Sequence, residues 1–288
     1  MIVSRRCSCQ GERGPAGPAL TTPTKAWYGT AMFGFLVKKA FFDMWDNLFR
    51  IIIMNLGYIA VFAIFFLLAP LFSSVPALFL LTFAVGIAIL GVYTGAVSRM
   101  CAEIADYHQP GFQEFYQFLK ESYPSSLLCA LVVSVYGFVV YVAFQFYGGM
   151  KSLAGPLAIA LLFWVTVACV FAVQYFFPIQ SRLDRKFRKI FRKSFLVFFD
   201  NPGFSIGLLL TALIVLVVSF FTALLLPGLT TIMLWWNIAF KLRLYKYDWL
   251  EKNPGANRRR VPWDALLVDD RERVGKRTLK GMIFPWKE

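Results

Sequence analysis

Six long apolar runs, separated by short polar stretches, dominate the pattern of the chain. None of them contains Asp, Glu, His, Lys or Arg until Lys241 and Arg243, near the end of the sixth. A helix of about 20 apolar residues crosses the hydrocarbon core of a bilayer, whereas a membrane β-barrel needs shorter segments of alternating polarity. The pattern therefore predicts an all-α integral membrane protein with six transmembrane helices, at residues 51–72, 76–98, 125–147, 155–177, 204–226 and 228–245.

A repeated feature precedes each pair of predicted spans. It is an aromatic, amphipathic stretch that ends in an acidic residue followed by a small polar one. The three dipeptides are Asp46-Asn47, Glu121-Ser122 and Asp200-Asn201. Such residues accept hydrogen bonds from the free N–H groups at the start of a helix, so we interpret them as N-caps rather than as a ligand site. The repeat predicts three helical hairpins, each entered through an interfacial amphipathic helix.

The segment 177–203 concentrates positive charge between two apolar runs. At helical spacing its apolar residues share one face, and most of its basic residues lie off that face. Such a helix suits a membrane surface, with its rings at the headgroup boundary and its cations facing anionic lipid. The candidates for binding anionic lipid of the cytoplasmic leaflet, or a partner protein, are Arg185, Lys186, Arg188, Lys189, Arg192 and Lys193.

The net charge of +14 is distributed on one side of the predicted membrane domain. In a six-span topology, the connections after the first, third and fifth spans contain Lys151 as their only charged residue. Cytoplasmic loops carry the excess of Lys and Arg, so both termini are predicted to be cytoplasmic. The charge thus reflects topology, and we expect no nucleic-acid partner.

Outside the predicted spans the chain divides into two end segments and a membrane domain at 32–247. Residues 1–31 lack hydrophobic periodicity, and they are either disordered or upstream of the true start at Met32. Residues 248–288 form a basic cytoplasmic tail, in which one or two short helices fit at 263–280. The tail is predicted either to attract lipid through its arginine cluster or to dock onto the cytoplasmic helices of the protein or onto a partner.

Catalytic chemistry is hard to assemble from these residues. His108 is the only histidine, and no nucleophile–base pair, metal set or cofactor motif can be drawn, so we expect a non-enzymatic protein without catalytic, metal or cofactor sites. Neutral polar residues within the spans serve most often as interhelical hydrogen-bond partners. Alternatively, four amides could line a path for an uncharged solute: Asn55, Gln145, Gln174 and Asn237.

The stretch 175–203, with YFFPIQSR followed by a basic-aromatic segment and FFDNPG, resembles the YesL-like family of bacterial membrane proteins. The entry GFQEFYQFLKESYP and Asn55 in the first span are similar to that family as well. The resemblance covers about 32–247. It implies a multi-pass protein of the bacterial inner membrane, an accessory component associated with carbohydrate uptake, with a carbohydrate transporter subunit as partner. The alternative function is a permease or channel for an uncharged polar solute such as a sugar, and an oligomer is open in either case.

Overall fold

The computed structural model describes residues 27–72, 74–258, 261–275 and 277. Every regular element among these residues is a helix. The elements are α1 (Trp27–Asp46), α2 (Leu48–Leu68) with a 3₁₀ turn (Ala69–Phe72), α3 (Pro76–Ala105), α4 (Phe112–Gly148), α5 (Ala154–Arg182), α6 (Phe187–Asp200), α7 (Pro202–Phe221), α8 (Gly228–Lys252), α9 (Trp263–Leu266) and α10 (Val268–Val274).

Five of the described helices are long and apolar enough to cross a membrane: α2 with its 3₁₀ turn, α3, α4, α5 and α7. The protein is therefore an all-α, multi-pass membrane protein, as its hydrophobic pattern predicts. The sixth predicted span lies within α8, which is not among the five. The second half of α8 carries Lys241, Arg243 and Lys246, which lower its hydropathy, and all three side chains are buried within the protein.

The chain forms two compact units, one of residues 1–38 and 246–288 and the other of residues 39–245. In the first unit, residues of the described part of the tail contact α1. Lys38 Nζ donates a hydrogen bond to the Gly275 carbonyl over 3.1 Å, and the Arg271 guanidinium lies 6.0 Å from the Phe35 ring centroid. In the described part of the tail, these contacts favour docking onto a helix of the protein itself. Helix α1 begins five residues before the predicted boundary at Met32, and residues 1–26 of the predicted disordered segment lie outside the described residues.

In the second unit, small residues hold α3 against α4. A Cβ built on Gly95 would lie 2.2 Å from Ser126 Oγ, and one on Gly91 would lie 3.0 Å from the Ala130 Cβ. Helices in lipid gain stability from such close backbone approach, because lipid tails give no hydrophobic drive to associate. The α3–α4 contact is therefore a packed seam rather than the wall of a pore.

The N-cap interpretation was wrong for the second repeat and incomplete for the other two. Helix α4 runs without a break through Glu121 and Ser122, because Ser122 Oγ donates back to the Phe118 carbonyl of its own helix over 2.7 Å. Asn47 and Asn201 do occupy N-cap positions, before α2 and α7, but neither side chain makes a capping hydrogen bond. The described residues contain separate entry helices only before α2 and α7.

Candidate functional site

Helix α6 lies across α5 with one face buried. Its buried residues are Ile190, Ser194 and Val197. The Phe187 ring lies 5.8 Å from that of Phe176 on α5, and the Phe198 ring stacks at 5.2 Å on that of Phe171. At 1.5 Å per residue, these contacts advance about 16 Å along α6 but only about 7 Å along α5, so the two helices cross obliquely. One face of α6 is therefore fixed against the helix bundle, and the other faces are left exposed.

Most of the predicted lipid- or partner-binding cations are exposed. The exposed residues are Arg185, Lys186, Arg188, Lys189 and Arg192, which we call the α6 basic face. Lys193 differs, because its ammonium lies 2.5 Å from Asp184 Oδ2 and its side chain is only 20% exposed. Arg185 forms a looser surface pair with Glu121 over 2.8 Å. Of the six predicted cations, Lys193 is thus the one that is paired with a carboxylate and only partly exposed.

A cavity of about 140 Å³ lies between α4, α5 and α6, on the side of α6 that is turned away from its basic face. The hydroxyl groups of its lining are used elsewhere: Ser194 Oγ donates to the Ile190 carbonyl, and Tyr136 bonds Thr166 over 2.7 Å. The remaining wall is apolar, so the cavity suits a hydrocarbon ligand. Its lining residues are Cys129, Val132, Val133, Tyr136, Cys169, Ala172, Val173, Phe176, Phe187, Phe191, Ser194 and Phe195.

A carboxylate that sequence reasoning missed joins three elements at the cytoplasmic end of the predicted topology. Asp106, directly after α3, lies 2.7 Å from Arg182 Nη1 at the end of α5 and 3.2 Å from Lys241 Nζ of α8. Burial alone would raise the pKa of Asp106, but the charges and hydrogen bonds of Arg182 and Lys241 outweigh it and lower the pKa below its ordinary value. Asp106 is therefore ionised at neutral pH and acts as a clamp between two cations, which we call the Asp106 clamp.

An aromatic ring extends this clamp. The Tyr107 ring centroid lies 3.6 Å from Lys39 Nζ and 5.0 Å from Lys241 Nζ. Lys39 also pairs with Asp43 over 2.8 Å, one turn further along α1. A cation over an aromatic face is stabilised most when it is shielded from water, as both lysines are here. The sequence could have indicated such a contact, because Lys241 lies inside a predicted span and a buried cation needs a partner.

Asn55 is the first of the four predicted intramembrane amides, and it fastens the turn between α7 and α8. Its Nδ2 donates to the carbonyls of Leu225 and Pro227, and its Oδ1 accepts from the Thr230 N–H over 2.9 Å. Gly228 has a φ of +68°. A Cβ there would lie 2.2 Å from the Asn55 amide nitrogen, so this turn requires glycine.

The other three amides lie apart from Asn55 in their contacts. Asn237 donates to Ser98 Oγ over 3.0 Å, and Gln145 is exposed near the C-terminal end of α4. Gln174 is 1% exposed, and its amide atoms have no hydrogen-bond partner among the described residues. No hydrogen bond of the described residues joins any two of the four, so the structure does not assemble them into one polar site.

A fifth amide, Gln180, carries the most connected polar contact within the described helices. Its Nε2 lies 2.7 Å from Ser125 Oγ, 2.8 Å from Ser126 Oγ and 2.8 Å from the Ser122 carbonyl. The neighbouring residue, Ser181, bonds Ser98 over 3.0 Å, and Ser98 accepts from Asn237. This chain of contacts joins α4, α5, α3 and α8 near one end of the bundle. Sequence reasoning missed Gln180 because it lies beyond the predicted limit of its span.

Comparisons with known proteins add nothing to this geometry, since no family model, curated protein or solved structure matches the chain. The resemblance to YesL-like proteins stays a hypothesis. What the chain itself establishes is a multi-pass helical membrane protein with an exposed basic helix above an apolar cavity.

Proposed function

We propose that this protein is a non-enzymatic accessory component of the bacterial plasma membrane, whose α6 basic face binds a partner protein. The observation that carries the proposal is a group of five exposed cations, three on α6 and two directly before it, while the buried face of α6 is anchored to α5. A face with this many unshielded cations steers an acidic partner toward it. Following the resemblance, the proposed partner is a subunit of a carbohydrate transporter.

The packing of the interior supports this function over the permease alternative. A path for an uncharged solute needs polar groups that converge, and the side-chain contacts of Asn55 and Asn237 go to different elements. Gln145 is exposed, and the α3–α4 contact is closed by glycine against serine. The described interior is therefore organised for cohesion, which suits a protein that acts through its cytoplasmic face.

The finer topology is part of the same proposal. Helices α2–α3 and α4–α5 form two hairpins, and α7–α8 form a third that returns to its starting side, so both termini are cytoplasmic. The distribution of Lys and Arg supports this arrangement, since an odd number of crossings would place the charged tail outside. Single cysteines that replace Leu153 and Asp264 test it in intact cells. A membrane-impermeant maleimide is expected to label the first and not the second, and labelling of both would contradict the arrangement.

A charge-reversal experiment tests the partner. The test variant carries glutamate at Arg185, Lys186, Arg188 and Lys189. The matched control makes the same change of charge at four exposed cations outside α6: Lys120, Lys252, Arg258 and Arg277. Each protein is isolated from native membranes in mild detergent, and its co-purified proteins are quantified by mass spectrometry.

We expect a stoichiometric transporter subunit with the wild type and the control, and its loss with the α6 variant at unchanged membrane insertion. Retention of the partner by the α6 variant, or equal loss in the control, would contradict a role for the basic face. If the wild type comes out alone, the accessory function is wrong, and sugar uptake into proteoliposomes becomes the next assay.

A further inference from the structure

The cavity beneath α6 and part of the α6 basic face lie next to each other on the same helix. Phe187, Phe191 and Phe195 line the cavity and follow each other at intervals of four residues. Their rings form a continuous row, with centroids 5.8 Å and 5.0 Å apart. This phenylalanine row therefore forms the edge of the cavity along α6.

Two cations flank the phenylalanine row. At 3.6 residues per turn, Arg188 and Arg192 project about 60° from Phe191 and Phe195 respectively, whereas Lys189 projects on the far side of the helix. Both arginines are exposed. Guanidinium groups bind phosphate oxygens in a bidentate manner and remain charged at any physiological pH. The edge of the cavity thus combines an apolar opening with groups that recognise phosphate.

The cavity is open toward the side where lipid tails would lie. Phe191, Val132 and Val133 line it and are 41–43% exposed, so its wall reaches the surface of the helix bundle. Apolar cavities of about 150 Å³ stay free of water and accept benzene-sized ligands, which is the size of a short stretch of an acyl chain. A hydrocarbon chain that enters here would meet no unpaired polar group in the wall.

We propose that this cavity is a binding site for one anionic phospholipid, with part of an acyl chain under α6 and the phosphate held by Arg188 and Arg192. Charge complementarity favours an anionic lipid, because Arg188 and Arg192 are exposed and, among the described residues, neither forms an ion pair with a carboxylate. The proposal deepens the proposed function, since it relies on the same orientation of α6 toward the cytoplasmic leaflet.

The test uses the full chain in vesicles of phosphatidylcholine that contain a minor fraction of phosphatidylglycerol. After extraction in mild detergent, native mass spectrometry counts the phospholipids of each class that remain bound. Cys169→Phe fills the cavity, and Leu161→Phe adds the same ring to an exposed position of α5 that does not line it. Arg188→Gln with Arg192→Gln removes the proposed phosphate contacts, and Lys186→Gln with Lys189→Gln removes the same charge on the far side.

The wild type is expected to retain one phosphatidylglycerol in preference to phosphatidylcholine. Replacing both arginines should lower that retention about tenfold or more, corresponding to at least one lost charge-assisted hydrogen bond, while the lysine pair leaves it unchanged. Cys169→Phe should abolish it and Leu161→Phe should not. The arginine variants lie on the surface, so they test the site even if the filled cavity impairs folding.

Three outcomes would overturn the proposal: equal retention of both lipid classes by the wild type, equal effects of the arginine and lysine pairs, or a lipid-free dimer in which a second copy covers the cavity. Cys169→Phe leaves every cation of α6 in place. Loss of lipid with intact capture of the partner protein, or the converse, therefore separates failure of this site from failure of the proposed function.

Discussion

Replacement of Asp106 by asparagine is the most direct test of how α3, α5 and α8 are held together at this end of the bundle. The carboxylate lies 2.7 Å from Arg182 and 3.2 Å from Lys241, and each of these cations has a side chain that is 10% exposed. Arg182 also donates to the Ala102 carbonyl and Lys241 to the Ala105 carbonyl, and Lys241 Nζ lies 5.0 Å from the Tyr107 ring centroid. Asp106→Asn keeps the shape of the side chain and removes the negative charge that neutralises both cations.

Removing one partner of a buried ion pair costs about 3 kcal/mol or more, because it leaves a charge uncompensated away from water. For a chain of this size, about 3 kcal/mol corresponds to a drop in Tm of roughly 6–12 °C. The matched control is Glu121→Gln, whose partner Arg185 is 69% exposed. An exposed pair contributes at most about 1 kcal/mol, so this variant should unfold within about 4 °C of the wild type.

Two buried thiols supply the assay. Cys101 and Cys129 are buried, so a thiol-reactive fluorophore labels them only as the protein unfolds. The measurement is made in detergent with Cys7, Cys9 and Cys169 replaced by serine, which removes the other thiols. If Asp106→Asn unfolds at the same temperature as Glu121→Gln, the clamp contributes no more than a surface pair, and the reasoning is wrong.

The pH dependence of the same variant has a definite sign. The pKa of Asp106 is lowered in the folded protein, so its ionised form stabilises the fold at every pH above its unfolded pKa, near 4. That contribution is lost as the pH falls through the lower, folded pKa. We therefore expect the difference in Tm between wild type and Asp106→Asn to be constant near neutral pH and to shrink below about pH 4. A difference that grows on acidification would contradict the lowered pKa.

Three further substitutions probe the packing, each read by thermal unfolding. Gly95→Ala should cost about 1–3 kcal/mol, because its Cβ would overlap a serine hydroxyl of α4, whereas Gly137→Ala, with nothing within 4 Å of its Cβ, should be neutral or stabilising. Asn55→Leu should cost about 1–3 kcal/mol by leaving the Thr230 N–H and two carbonyls unpaired, and an unchanged Tm would mean that water replaces the amide. Gln180→Met should cost a similar amount, about 1–3 kcal/mol, because it leaves polar groups of α4 unpaired. A Tm equal to that of Gly137→Ala would contradict a stabilising role for Gln180.

The sequence predicted those parts of the fold that depend on composition alone. Crossing a bilayer requires only length and apolarity, so four of the six predicted spans fall within helices that meet the requirement, and a fifth, at 204–226, overlaps α7 but ends five residues beyond it. Helix α6 was predictable for a related reason, since its period of 3.6 residues separates Ile190 and Ser194, which are buried, from Arg188 and Lys189, which are exposed. Both predictions depend only on the residue pattern within a single helix.

Contacts between distant elements could not be predicted in this way. Asp106 meets Arg182 and Lys241, which lie 76 and 135 residues further along the chain, and no local pattern specifies that pairing. The prediction of a helix start at Glu121-Ser122 failed for the opposite reason. Glu121-Ser122 carries a strong local signal for a helix start, but the packing of Ser122 against Gly95 on α3 favours an unbroken helix. Tertiary packing decides such cases over local propensity.

The turn between α7 and α8 explains why the last predicted span departs from the other five. The Thr230 carbonyl at its end lies 3.6 Å from Cys101 Sγ, and Cys101 lies 25 residues, about 38 Å, along α3 from Pro76 at the opposite turn. Measured along α3, this turn therefore lies near the end of α3 that precedes Asp106 and far from the turn at Pro76. Lys241 follows Thr230 by 11 residues, about 17 Å along α8, and its Nζ lies 3.2 Å from Asp106. One of the cations that lower the hydropathy of α8 thus also fastens α8 to the residue that follows α3.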